Sequence, residues 1–134
     1  MSRKAIIDSL QTIATDYEYE FYADEERYLT QGVKRLPALW LAPPKFHSKE
    51  GRTHGKITYA VTLHALDEGA KLSPAEREEA WEMLECDLVE IFSSLSRAER
   101  VVAIENLKIK CNIASLTALG EISATATAEV VTYY

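Results

Sequence analysis

The stretch ISATATAEV, Ile122–Val130, sets an alanine at every second position and a hydroxyl residue between them. Successive side chains of an extended chain point to opposite faces. Ile122, Ala124, Ala126, Ala128 and Val130 therefore share one face, and Ser123, Thr125 and Thr127 share the other. The alanine face is flat, so a helix can approach it closely if its own side chains are bulky enough to fill the gap. The chain supplies such a helix in SPAEREEAWEMLECDLVEIFSSL. Ser73 can cap it, Pro74 suits its first position, and Glu76 completes a capping box by reaching back to the cap's N–H. Glu76, Glu78 and Glu79 fall in the first turns, where the helix dipole favours acids. Trp81, Leu84, Leu88, Ile91, Phe92 and Leu95 then form one apolar stripe.

The other elements follow from the same periodicities. Ile6, Leu10, Ile13 and Tyr17 mark an amphipathic helix over about Arg3–Asp16. In KITYAVTLHALD, Ile57, Tyr59, Val61 and Leu63 alternate with Thr58, Ala60, Thr62 and His64, as in a half-buried strand. In ENLKIKCNI, Leu107, Ile109, Cys111 and Ile113 are expected to face inward, and Asn106, Lys108, Lys110 and Asn112 outward. ALWLA, stopped by Pro43-Pro44, is apolar on both sides, with Leu39 and Leu41 opposite Trp40. Such a strand is either central and doubly covered or at an interface. The segment Tyr17–Tyr28 holds five aromatics among acids. Tyr17, Tyr19 and Phe21 alternate as in a short strand, whereas the acids suit an irregular excursion; core edge and interface are both open for it.

The order α-β-β-α-β-β predicts an α+β fold in one domain over residues 1–134: a four-stranded, mainly antiparallel sheet with two helices on one face. Thr58, Thr62, His64, Lys108, Lys110, Thr125 and Thr127 would then point away from the helices, onto a face that meets water or another chain. Between the first two of these strands, residues 44–56 read as a long mobile basic loop. It carries Lys45, Lys49, Arg52 and Lys56, with His47 and His54, against Glu50 alone.

The formal net charge of −6 disfavours nonspecific binding to nucleic acid; binding through Lys108 and Lys110 is a minor variant. No apolar run approaches the roughly 20 residues of a membrane span, and the basic N-terminal stretch lacks the unbroken apolar core of a signal peptide. Cys86 and Cys111, with no CxxC, suit a reducing, cytosolic compartment. No group of residues reads as an enzyme's, and no cofactor or metal is expected. His47, His54 and His64 lack helical metal-ligand spacing. GRTHGKIT fails as a phosphate loop, because its glycines are one residue too close and Ile57 stands where Ser or Thr is required. Glu82, Glu85, Asp87 and Glu90 read as the solvated side of a helix. Cys86 lies between two acids and makes a poor nucleophile. No Gly-x-Ser-x-Gly surrounds Ser93, Ser94 or Ser96.

This order, the long loop between the first two strands and the Ala/Thr-rich last strand together resemble the tail-terminator (tail-completion) proteins of long-tailed bacteriophages and prophages, and related head–tail neck proteins. The resemblance covers about Arg3 to Tyr133 and is one of topology and size. It implies a non-enzymatic virion subunit that forms a homo-oligomeric ring, commonly a hexamer, capping the tail tube and meeting other tail or neck proteins. Such a subunit would be cytoplasmic in the bacterial host before assembly and in the tail or neck afterwards. Mapped onto this chain, Lys45, His47, Lys49, Arg52, His54 and Lys56 would contact the partner or passing DNA. Trp40, Thr58, Thr62, His64, Thr125 and Thr127 would contact adjacent subunits. The alternative is a ligand- or peptide-binding module with a concave pocket near His64 and Trp40.

Overall fold

The computed structural model describes residues 3–133; Met1 and Ser2, the start of the basic N-terminal stretch, and Tyr134 lie outside it. In chain order the elements are α1 (Arg3–Asp16), β1 (Glu20–Ala23), a 3-10 turn (Glu26–Tyr28), α2 (Leu29–Gly32), β2 (Ala38–Leu41), β3 (Lys45–Glu50), β4 (Lys56–Asp67), α3 (Pro74–Ser96), β5 (Val101–Asn112) and β6 (Ile122–Tyr133). The class is mixed α+β. One six-stranded sheet runs β1-β2-β4-β6-β5, with β3 beside the first half of β4. All pairs are antiparallel except β1–β2.

α3 starts where its capping residues place it. The Ser73 hydroxyl accepts from the Glu76 N–H at 3.3 Å, and the Glu76 carboxylate accepts from the Ser73 N–H at 3.1 Å. Its Leu84, Leu88, Ile91, Phe92 and Leu95 join Ile6, Leu10 and Ala14 of α1 over Val61, Leu63 and Ala65 of β4. Beneath them lie Ala124, Ala126 and Ala128, each at most 5% exposed. The flat strand face and the bulky helix are therefore complementary halves of one core, at the density that close packing requires.

Three expectations need correction. The sheet has six strands, not four, and a short α2 joins the two long helices. The basic loop is a hairpin: Phe46 pairs with Tyr59, Ser48 with Thr58 and Glu50 with Lys56, with a bulge between Phe46 and Ser48. Twelve-residue β4 outruns four-residue β2, and the backbone groups of its first half need partners. β3 supplies them, and Gly51 makes the turn at φ +85°, a conformation that favours glycine. Finally, Ile113 lies beyond the end of β5 and is 92% exposed. The strand also begins earlier than its alternation suggests, at Val101, because bulges at Val101/Ala103 and Glu105/Lys108 break its period.

Candidate functional site, a half-roofed sheet face

The face turned away from α1 and α3 is divided. At one end the chain folds back over it. Trp40, 2% exposed, packs with Leu29, Val33, Ala38 and Leu66, with Tyr22, Leu36 and Leu116 at the margin. Tyr22 stacks on the indole at 5.6 Å between ring centroids, and the indole N–H donates to the Asp24 carbonyl at 2.9 Å. Gly32 permits the closure, since a Cβ there would lie 2.7 Å from the indole ring. A second segment closes the same end: Thr30 donates to the Leu116 carbonyl at 3.1 Å. There the buried Glu121 side chain accepts from the N–H groups of Leu116 and Thr117 and from the Thr117 hydroxyl, so both of its oxygens have partners.

The excursion is fastened by a polar relay. His64 Nε2 lies 2.8 Å from Glu26 Oε2, and its Nδ1 lies 2.7 Å from Thr125 Oγ1. The Asn112 amide donates to Thr125 Oγ1 at 2.9 Å and to Ser123 Oγ at 3.0 Å. The imidazole is thus held at both ring nitrogens, by Glu26 on one side and Thr125 on the other. Carboxylate, imidazole and hydroxyl stand in the order of a nucleophile relay. Here, however, the imidazole is 7% exposed and the hydroxyl is engaged on both sides. The arrangement ties the 3-10 turn, β4, β5 and β6 together.

The other half of the face is open. Thr58 and Thr62 are half-buried, and Thr127, Lys108 and Lys110 are exposed. A groove of about 420 Å³ runs here between Glu26, Pro43 and Lys45 on one side and Asn106, Lys108 and Glu129 on the other, with Thr62 and Thr127 in its lining. The predicted interface residues thus separate. Thr58, Thr62 and Thr127 remain on the open half. Trp40 and His64 lie beneath the chain's own roof, and Thr125 is tied to His64. The expectation that Trp40 and His64 meet a neighbouring subunit is corrected, because residues 22–36 already cover that end. The aromatic-acidic segment is mainly core edge: Tyr17, Tyr19 and Phe21 pack on the helix side and Tyr22 on the other, while Tyr28 stays 45% exposed. Among the proposed loop residues, Lys49 donates to the Arg52 carbonyl at 3.3 Å and His47 lies 3.4 Å from Glu129. Lys45, Arg52, His54 and Lys56 are exposed on the hairpin.

Sequence reading missed Glu26, Asn112 and Glu121. One signal was present for the roof: a strand apolar on both sides, close to surplus aromatics, calls for a second cover.

Two groups on the helix side hold their protons unusually firmly. Partial burial, reinforced by donation to Glu85 Oε1 at 2.9 Å, pushes the Cys111 thiol up to about 12. Burial, then its 2.7 Å hydrogen bond to Asp87, raises the Tyr19 phenol well above its ordinary range. In the unfolded chain both release protons earlier, so above about pH 9 the unfolded state binds fewer protons and stability falls with rising pH. The urea midpoint is expected to drop between about pH 9 and about pH 12, and Cys111→Ala is expected to flatten part of that drop. An identical slope in the variant would show that the thiol does not contribute.

Compared with known protein families and with curated proteins, the chain matches none.

Proposed function

We propose that this chain is a structural subunit that assembles into a ring of the kind that closes a phage tail tube. The observation that carries this reading is the open half of the sheet, with Thr58, Thr62, Thr127 and Lys108 standing unroofed beside a projecting basic hairpin. Short, β-forming side chains permit a close approach by a second chain, and interspersed charge keeps the free subunit from uncontrolled edge pairing. A ring covers in each copy what a single layer of helices leaves bare. Tail or neck proteins are the partners this reading assigns, and a hexamer is its default count.

Native mass spectrometry together with electron microscopy of the purified protein tests it. Closed assemblies of fixed diameter are expected. A strict monomer at high concentration and at several salt concentrations would overturn it. A second reading, a ligand- or peptide-binding module, loses its expected pocket near His64 and Trp40, which the chain itself covers, and is favoured instead by the groove of about 420 Å³ lined by Thr62, Thr127, Asn106 and Lys108. It predicts a monomer or dimer with a saturable ligand in that groove.

A further inference from the structure

α3 carries seven acids against the single Arg77. On its outer face Glu79 and Glu82 form a ridge shared by two clefts. One, of about 510 Å³, is lined by Trp81, Glu85, Cys111 and Ile113; the other, of about 520 Å³, by Met83, Cys86 and Asp87. Ile113 is 92% and Met83 68% exposed, so the face is an apolar surface framed by carboxylates. The β3–β4 hairpin is its counterpart in charge and character. Lys45, Lys49, Arg52 and Lys56 stand against Glu50 alone, and Phe46 is 62% exposed beside them.

The two surfaces of one chain lie far apart. The first of the clefts borders Cys111, in register with Ala124 and, through it, with Ala65 near the end of β4. The hairpin sits at the start of β4, where Lys56 pairs with Tyr133. Along β4 the hairpin lies six positions from Ala65 at Tyr59, the partner of Phe46, and nine at Lys56, or about 20–30 Å at about 3.3 Å per residue.

We infer that the basic, Phe46-bearing hairpin of one subunit docks on the acidic outer face of α3 in the next copy of this chain. The inference rests on the ring reading and adds to it a second contact, apart from the open half of the sheet. Opposite charges complement one another across the joint, while two hairpins or two α3 faces repel, which fixes the orientation as head-to-tail. A head-to-tail contact uses different surfaces on each copy and generates a ring when its rotation closes.

Charge-reversal variants test the pairing: Lys45→Glu with Arg52→Glu on the hairpin, and Glu79→Lys with Glu82→Lys on the helix. All four positions are exposed, so thermal melts of the variants should match that of the unaltered protein. Each variant alone is expected to self-associate about tenfold or more weakly by sedimentation equilibrium. Mixed in equal amounts they should co-assemble better than either does alone, because each altered hairpin then meets lysines where Glu79 and Glu82 stood. If the unaltered protein assembles and both variants assemble equally well, this contact is wrong and the ring reading survives. If the variants fold and fail alone but also fail when mixed, the pairing is wrong too. A hairpin variant that loses only retention of duplex DNA, with assembly intact, would assign the hairpin to nucleic acid and overturn the contact. An unaltered protein that never self-associates sinks the ring reading itself.

Discussion

Trp40→Ala is expected to lower the unfolding free energy by about 3–5 kcal/mol, a large part of the roughly 5–15 kcal/mol that stabilises a domain of this kind. The indole is 2% exposed and organises the second core. Truncating it removes the platform on which Tyr22 stacks and leaves the Asp24 carbonyl without its donor. It also opens a cavity under Leu29 and Val33, which relaxation fills only in part. Urea unfolding gives the magnitude, and limited proteolysis gives the location. Cleavage within residues 24–35 should accelerate more than cleavage in β4 or β6, because the roof detaches before the main sheet opens. Trp40→Phe keeps an aromatic surface and should cost less. A loss under about 1 kcal/mol for the alanine variant would mean that this end of the sheet does not depend on its cover.

The second large effect is overpacking. Ala126→Leu is expected to destabilise by about 3 kcal/mol, whereas Thr127→Leu, one residue further on, should stay within about 0.5 kcal/mol. Ala126 is fully buried, sits in register between Leu63 and Ile109, and belongs to the core that includes Leu88 and Phe92 of α3. Added carbons have no vacancy to enter, so α3 must lift or neighbouring side chains must leave their rotamers. Thr127 points to the open half of the opposite face. Equal losses at the two positions would contradict the placement of α3 on the alanine face.

The roof has a direct bearing on assembly. A sheet face left wholly bare would offer a neighbouring copy Trp40 and His64, the residues best suited to anchor an interface. Both are already committed within the chain, Trp40 to the second core and His64 to Glu26 and Thr125. What remains for a partner is the Thr62–Thr127–Lys108 half, the hairpin and the outer face of α3. Interfaces on such surfaces draw more on charge and shape than on buried aromatics, so salt-sensitive assembly is their expected signature.

Local patterns determined a good deal of this protein. The capping residues Ser73 and Glu76 set where α3 begins, because a helix start is decided by a few neighbouring hydrogen bonds. Strict alternation in β4 and β6 assigned inward and outward residues correctly, and Thr58, Thr62 and Thr127 with them, because side-chain direction in a strand has a fixed period. Tertiary structure decided the rest. Whether Lys45–Glu50 is loop or strand depends on the unpaired half of β4 beside it, not on its own polar composition. That Trp40 is roofed depends on Leu29, Val33 and Leu116, and that His64 is latched depends on Glu26, 38 residues away. Ile113 reads as one more inward residue, yet it falls outside the sheet because pairing with β6 stops at Asn112 and Ser123. Periodicity records which side of a strand a residue occupies; only long-range contacts decide what, if anything, covers that side.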